Sequence, residues 1–185
     1  MNSKLILASA LAAVMAVGCA QKPTNVRVDP TYESVAEDKF TSTNRAAAHK
    51  LVEGLTREYL GDAPILVATV VNINDLRRSA PLGRTLSEQY ASALVQRGLN
   101  VKELKLRGDV FVQEGTGELL LSREIKDIAR SHAATMVLVG TYSAAANLTY
   151  INIKLVRTED GRIIRAHDYA LPNDRDVMRL LQGSR

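Results

Sequence analysis

The sequence predicts a mixed α/β domain, in which helices pack on a sheet that combines parallel and antiparallel strands. Two continuous aliphatic runs, residues 65–71 and 136–140, are typical of strands that are covered on both faces. Apolar residues at helical spacing lie between them, which favours parallel pairing through helical crossovers. Beyond residue 142 the pattern alternates, and tight turns there require antiparallel pairing. The predicted order is α-β-α-β-α-β-β-β-α, a central mixed sheet with C-terminal antiparallel strands packed by helices.

The first helix is predicted to begin near Thr41 and to end before Gly61 and Pro64, and the first buried strand follows it. Short polar side chains at the start of this helix can accept hydrogen bonds from its free N–H groups, so they are candidate N-caps. The candidate caps are Ser42, Thr43 and Asn44, and the apolar positions at helical spacing are Ala48, Leu51, Val52, Leu55 and Tyr59.

A second helix is predicted over residues 83–97, with Gly98 as its C-terminal stop. The strand that follows, residues 99–106, places Glu103, Lys105 and Arg107 on one face, which is typical of an edge strand or of a half-exposed one. Residues 108–117 are predicted as a loop or a short extra strand, and a third helix follows Ser122, its candidate N-cap. The inner positions of the two helices are Leu86, Tyr90, Ala93 and Leu94, then Ile125, Ile128 and Ala129.

The last third of the domain is predicted to be a hairpin and a closing helix. Thr149, Ile151, Ile153 and Leu155 alternate with more polar residues, which indicates a strand with one buried face. Asp160-Gly161 is a strong hairpin signal, and residues 162–171 form the partner strand. Asn173 is the candidate N-cap of a helix that carries Val177, Leu180 and Leu181.

The first residues predict export. Residues 5–17 carry no charge and are too short for a helix that spans a bilayer, which takes about 20 residues, but they have the length of a signal-peptide core. Ala16-Val17-Gly18-Cys19 resembles a lipobox, although that motif prefers Leu where Ala16 stands. Cys19 is the only cysteine, so we expect it to carry the lipid; the alternative is an ordinary signal peptide in which Cys19 has no role. The expected organisation is a signal peptide over 1–18, a lipidated tether over 19–40 and a single domain over 41–185.

Composition and motifs favour binding over catalysis. The formal charge is +4, but basic residues alternate with acidic ones, so nucleic acid is not an expected partner. His49, His132 and His167 lie on different predicted elements without the spacing of metal ligands. His167 and Asp168 point to opposite faces of a strand, and Gly115-Thr116-Gly117 lacks the rest of a phosphate-binding motif. We therefore expect no catalytic residues, no metal and no cofactor.

The loop over residues 72–84 is the candidate contact surface. It follows a predicted central strand at its carboxyl end, where open α/β sheets tend to place their sites. Arg77, Arg78 and Arg84 gather there near the start of a helix, whose N–H groups favour anions. The sequence predicts either a site for an acidic partner or a glycan carboxylate, or a solvated basic turn.

Several blocks resemble the FlgO-type domain, in the same order and over roughly residues 63–170. The family's fold-type signatures are matched rather than any catalytic ones. The blocks are Asn74-Asp75-Leu76, Pro81-Leu82-Gly83-Arg84, Leu86-Ser87-Glu88, Leu94-Val95-Gln96-Arg97-Gly98, Leu121-Ser122-Arg123-Glu124-Ile125, Val137-Leu138-Val139-Gly140-Thr141-Tyr142, Asn152 to Val156 and Asp160-Gly161.

This resemblance implies a non-enzymatic outer-membrane lipoprotein that supports flagellar assembly and motility through envelope or flagellar proteins. Ala20 after Cys19 fits that location, because the sorting rule of such lipoproteins retains those with Asp in this place. The same plan is also similar to lipoproteins that activate peptidoglycan synthases or form curli secretion pores, so the alternative is an envelope regulator of a synthase or secretion machine. Self-association as a homo-oligomer stays open.

Overall fold

The computed structural model describes residues 29–36, 38–76, 79–104, 111–113, 119–121 and 123–182. Residues 29–36 belong to a unit of their own, in which the short helix α1 (Tyr32–Ala36) begins within a Thr31–Ser34 turn. In that turn the Thr31 N–H donates to Ser34 Oγ at 2.9 Å and the Ser34 N–H donates to Thr31 Oγ1 at 3.3 Å.

The second unit alternates helices with strands in the order that the sequence predicts, with short additions. Its helices are α2 (Lys39–Leu51), α3 (Arg57–Leu60), α4 (Pro81–Gln96), α5 (Arg123–Ser131) and α6 (Arg175–Gln182). Its strands are β1 (Ile65–Ala68), β2 (Val71–Asn72), β3 (Val101–Leu104), β4 (Phe111–Gln113), β5 (Leu119–Leu121), β6 (Met136–Ala144), β7 (Leu148–Arg157) and β8 (Ile163–Pro172). None of the described helices has both the length and the apolar character needed to span a bilayer.

A six-stranded mixed sheet forms the centre, in the order β3-β1-β6-β7-β8 with β2 also paired to β6. Strands β1, β2, β3 and β6 pair in parallel, whereas β6, β7 and β8 form an antiparallel meander. The mixed α/β prediction is confirmed, and β3 lies at one end of the sheet. The β4–β5 hairpin is a separate two-stranded sheet, where the sequence predicts a loop or one extra strand over residues 108–117.

The two faces of the sheet are covered unequally. On the covered face, α2, α4 and α6 pack on the sheet; this core is made of residues such as Leu51, Leu86, Tyr90, Leu138 and Ile153. The opposite face carries a smaller core, in which Ile125 and Ala129 of α5 pack on β1, β6 and the end of β7. Leu86, Tyr90, Ala93, Leu94, Ile125 and Ala129 are all buried, as their predicted inner positions require.

The start of α2 differs from the prediction. The helix begins at Lys39, because the Asp38 carboxylate accepts hydrogen bonds from the N–H groups of Phe40 (3.1 Å) and Thr41 (2.9 Å). The N-cap prediction of Ser42, Thr43 and Asn44 is therefore wrong: all three lie inside the helix. The helix also ends at Leu51, well before Gly61, because Gly54 turns the chain with a φ of +75°.

The cap of the last helix also differs from the prediction. The N–H groups of Asp176 and Val177 donate to Asp174 Oδ1 at 3.1 and 2.8 Å, so Asp174 is the N-cap of α6. Asn173 was predicted for that role, but its side chain accepts from Thr149 Oγ1 at 2.6 Å and donates to the Ala145 carbonyl at 2.7 Å. It therefore fastens the β6–β7 turn to the end of β8.

Candidate contact surface

The loop after β2 lies at the carboxyl ends of parallel strands, as predicted. Its first turn is held locally: the Asn74 N–H donates to Asn72 Oδ1 at 2.9 Å, and the Asp75 N–H donates to the Asn72 carbonyl at 3.1 Å. The Ile73 N–H donates to the Tyr142 carbonyl at 3.0 Å, which ties the loop to β6. Leu76 packs on the smaller core. Hydrogen bonds and the packing of Leu76 therefore hold the described part of this loop against the sheet.

The start of α4 packs against the sheet with almost no space between them. A methyl group on Gly83 would stand 2.0 Å from the Val70 carbonyl oxygen, so only glycine fits there. Ser87, one turn later, donates to the Gly83 carbonyl at 2.7 Å and accepts from the Val70 N–H at 3.0 Å. The Tyr142 hydroxyl accepts from the Ala80 N–H at 3.1 Å. Gly83, Ser87 and Tyr142 belong to the blocks that resemble the FlgO-type domain, and their roles here are structural.

Of the four predicted site residues, the structure describes one. Arg84 is exposed in the first turn of α4, and its Nη1 donates to the Ser79 carbonyl at 3.2 Å. Arg77 and Arg78, as well as Cys19, lie outside the described residues. The arginine cluster and the lipid anchor therefore stay predictions.

The structure places a largely apolar surface, with one exposed aromatic ring and a few polar groups beside it, on the uncovered part of the sheet; we call this surface the outer patch. Its residues come from three neighbouring antiparallel strands: Thr141 and Ser143 of β6, Tyr150 and Asn152 of β7, and Asp168 of β8. They line a shallow cavity of about 300 Å³, and Ile73 borders it from the loop after β2. Among the described residues no helix packs over this patch, because α5 covers only the other end of this face.

The sequence alone does not indicate the outer patch as a site, although it carries part of the signal. The alternation over residues 149–156 already separates a buried set from an outward set that includes Tyr150 and Asn152. What the alternation does not give is the register that sets Thr141, Asn152 and Asp168 side by side. His167 and Asp168 do point to opposite faces, since His167 stacks on Tyr169 with ring centroids 6.2 Å apart, whereas Asn152 donates its amide to Asp168.

A buried polar network joins α2, α4 and β8 on the covered face. The Tyr169 hydroxyl donates to Asn44 Oδ1 at 2.7 Å and also shares a hydrogen bond with the Tyr90 hydroxyl. The Asn44 amide donates to Gln89 Oε1 at 2.7 Å, and the Gln89 amide donates to Thr41 Oγ1 at 3.3 Å. Burial raises the pKa of Tyr90 well above its usual value, and the neighbouring Tyr169 raises it further. Burial likewise raises the pKa of Tyr169.

The three histidines are not brought together. His49 lies on α2 with its Nε2 buried and unpartnered among the described residues, His132 follows α5 with its Nδ1 3.3 Å from Lys102 Nζ, and His167 lies on β8. Gly115-Thr116-Gly117 lies outside the described residues. Within the described part of the chain, no three His, Cys, Asp or Glu side chains group in a way that could hold a metal ion.

Comparison with known structures supports the fold. The LpoB C-terminal domain from Salmonella enterica is similar with a TM-score of 0.52 at 16% identity, covering 72% of this chain and 98% of that one. The same domain from Escherichia coli gives a TM-score of 0.49 at 17% identity, with the same coverage. Lipoprotein GNA1162 from Neisseria meningitidis gives 0.42 at 16% identity over 62% of this chain and 83% of that one. The first of these shows a shared fold.

Comparison of sequences gives a family. No curated protein sequence matches this chain. The family described as "FlgO protein" matches residues 45–176, from the middle of α2 into α6. That range contains the whole mixed sheet, the close approach at Gly83 and the outer patch, and it is most of the chain. The protein therefore belongs to the FlgO family.

Proposed function

We propose that this protein is an outer-membrane lipoprotein that supports flagellar assembly and motility by binding other envelope proteins, without catalysing a reaction. The observation that carries this proposal is the FlgO match over residues 45–176. Residues in the blocks that resemble the family, such as Gly83, Ser87 and Tyr142, hold the loop after β2 and the start of α4 in place. A rigid surface that presents a loop is suited to binding.

Deletion of the gene tests the flagellar role. We expect the deletion strain to lose swimming in soft agar, to keep its normal cell shape, and to regain swimming when the intact gene is returned. Counting flagella by electron microscopy separates a defect of assembly from a defect of rotation. Normal swimming and normal flagella in the deletion strain would refute the flagellar proposal.

The anchor is proposed to be the acylated thiol of Cys19, because a short uncharged segment and small residues precede it. Cys19→Ser should accumulate as an unprocessed precursor and should take up no palmitate analogue in metabolic labelling. Gly18→Ala is the matched control, since it keeps a small residue before the cleavage site and should still be labelled. Equal labelling of Cys19→Ser and the wild type would contradict the anchor.

The contact surface is proposed to include Arg77 and Arg78, with Arg84 beside them. Arg77→Glu with Arg78→Glu should leave stability nearly unchanged, because exposed charges contribute little to folding. It should weaken partner binding, since reversed charges slow association. The matched control is Arg175→Glu with Arg179→Glu, which makes the same charge change at two exposed positions of α6.

Pull-down of envelope proteins and swimming in soft agar are the two readouts for these variants, with protein levels checked by blot. A loop variant that is present at the normal level and matches the wild type in both assays would mean that this loop is a solvated basic turn. Equal loss in both double variants would point to total charge rather than to this loop.

A second candidate function is that of a tethered regulator of a peptidoglycan synthase or a secretion machine. The observation that favours it is the fold shared with the LpoB C-terminal domain over 72% of the chain. It predicts the opposite phenotype: altered cell shape, or a secretion defect, in a deletion strain that still swims.

A further inference from the structure

The outer patch is a regular grid of side chains. Thr141, Asn152 and Asp168 are directly opposite one another on β6, β7 and β8, and Ser143 and Tyr150 form the next row, which ends at Ala170. Neighbouring strands lie about 4.8 Å apart, and residues two apart on one strand are separated by roughly 6.7 Å. The grid therefore measures about 10 Å by 7 Å, which is close to the area of one sugar ring with its substituents.

Tyr150 provides the flat apolar surface in this grid. Its side chain is 54% exposed although it lies in the middle of the meander rather than at an edge. Its neighbour on β8 is Ala170, which is too small to cover the ring. Its neighbour on β6 is Ser143, which is also small. An exposed aromatic ring held by a sheet is a preformed platform for an apolar face.

The polar groups beside Tyr150 can both donate and accept hydrogen bonds. The Asn152 amide donates to one oxygen of the Asp168 carboxylate, which leaves the second carboxylate oxygen and the Asn152 carbonyl as acceptors and the other Asn152 N–H as a donor. Ser143 adds a hydroxyl that can do either, whereas Thr141 is buried. A ligand that uses all of these groups must itself offer donors and acceptors at short spacing, as adjacent hydroxyls on a ring do.

The cavity is also of a suitable size. Its volume of about 300 Å³ lies at the lower end of the range for ligand sites, roughly 300–1,000 Å³. It therefore fits one ring rather than a large cofactor. A pyranose ring has one face of C–H groups that can lie on an aromatic ring, and its edge carries hydroxyls.

We propose that the outer patch binds a sugar unit of a neutral glycan, with its C–H face on Tyr150 and its hydroxyls hydrogen-bonded to Asn152 and Asp168. This site borders the loop over residues 72–84 at Ile73, and it does not depend on the flagellar role. The patch reaches β8, the last strand of the sheet, so a unit within a longer chain is admitted as well as a terminal one.

The test is titration of the full-length protein in mild detergent with chitotetraose and, separately, with maltotetraose, followed by calorimetry. We expect saturable binding of at least one of them. Tyr150→Ala should weaken it by about tenfold or more, and Asn152→Ala by a similar factor, whereas Tyr150→Trp should retain it. Tyr32→Ala is the matched control, because Tyr32 is 97% exposed and lies on α1 in the other unit. It should bind like the wild type.

The competing occupant is a cationic side chain of a protein, which Tyr150 and Asp168 could hold through a cation–π contact and an ion pair. Tri-arginine is the probe for it. Binding of tri-arginine alone, weakened by salt and abolished by Asp168→Asn, would overturn the sugar proposal. So would the absence of saturable binding of either sugar, or equal sugar affinity in Tyr150→Ala and the wild type. Unchanged circular dichroism and melting temperature establish that each variant is folded.

Discussion

At the scale of single residues, the contact between α4 and the sheet rests on the missing side chain of Gly83. Glycine usually destabilises a helix by about 1 kcal/mol relative to alanine. Glycine is nevertheless required at this position, because the Val70 carbonyl oxygen lies where the methyl group of alanine would be. The same close approach lets Ser87 bridge the helix and the strand.

We expect Gly83→Ala to lower the free energy of unfolding, although alanine is the better helix former. The clash with a backbone atom requires the helix to shift away from the sheet, and overpacking of this kind costs about 1–3 kcal/mol. Urea unfolding measures the change. Ser92→Ala, at an exposed position of the same helix, is the control and should change stability by less than about 0.5 kcal/mol. A stabilising effect of Gly83→Ala would contradict the close approach.

The phenols of Tyr90 and Tyr169 give a second prediction at this scale. Burial raises the pKa of both, so the folded protein keeps protons that the unfolded chain releases near pH 10. Their stabilising contribution is complete below about pH 10 and is lost as the pH rises above it. Tyr169→Phe should therefore make the free energy of unfolding fall less steeply above about pH 10.

Urea titrations of wild type and Tyr169→Phe at a series of pH values provide this comparison, and the other ionisable groups are the same in both proteins. At neutral pH the variant should be less stable by about 0.5–1.5 kcal/mol, because Asn44 loses a hydrogen-bond donor. Identical alkaline slopes would mean that the phenols ionise as easily in the folded state as in the unfolded chain.

At the scale of elements, the N-cap residue fixes where a helix begins, and for α2 that residue is Asp38. Burial by itself would raise the pKa of Asp38, but hydrogen bonds from Thr41 and Phe40 outweigh it and lower the pKa below its usual value. A lowered pKa in the folded state adds stability above the unfolded value of about 3.9. That contribution is lost as the pH falls through the folded value.

Asp38→Ala should therefore destabilise the protein by about 0.5–2 kcal/mol at neutral pH. Asp38→Asn is the informative control, since asparagine is an equally good N-cap but cannot ionise. It should keep most of the stability at pH 7 and should lose less than the wild type on acidification. Thermal unfolding at pH 7 and about pH 3 distinguishes the three proteins. Equal acid sensitivity of Asp38→Asn and the wild type would exclude this carboxylate as a source of it.

The elements that the sequence predicts well are those with a long apolar pattern. They are the buried runs of β1 and β6, the inner stripe of α4 and the alternation of β7. In each of them the buried positions are marked by apolar residues, so the pattern can be read from the sequence. The caps are harder to predict, because several short polar residues stand near each helix start and any of them could be the N-cap. The cap of α2 is Asp38 rather than Ser42, and the cap of α6 is Asp174 rather than Asn173. The outer patch could not be predicted, because it exists only through the register of three strands.

At the scale of the whole molecule, the described residues before 37 and those after it fall into two units, and the tether over residues 19–40 stays a prediction. We expect limited proteolysis of the intact protein to cut first within residues 20–39, because a segment with few buried contacts is the preferred site of cleavage. Mass spectrometry of the first fragments locates the cut. First cuts inside the sheet, with residues 20–39 still attached to the domain, would contradict the tether.

The arrangement of the sheet also has a consequence for the order in which the chain folds. β6, β7 and β8 follow one another through short turns, whereas Ile65 of β1 must find Met136 of β6 across the intervening chain. Local pairs lose less loop entropy on forming than distant ones. We therefore expect the C-terminal meander to gain amide protection first in pulsed hydrogen exchange, and the parallel strands to gain it last. The three strands that carry the outer patch would then be assembled before the half of the domain that carries the loop over residues 72–84.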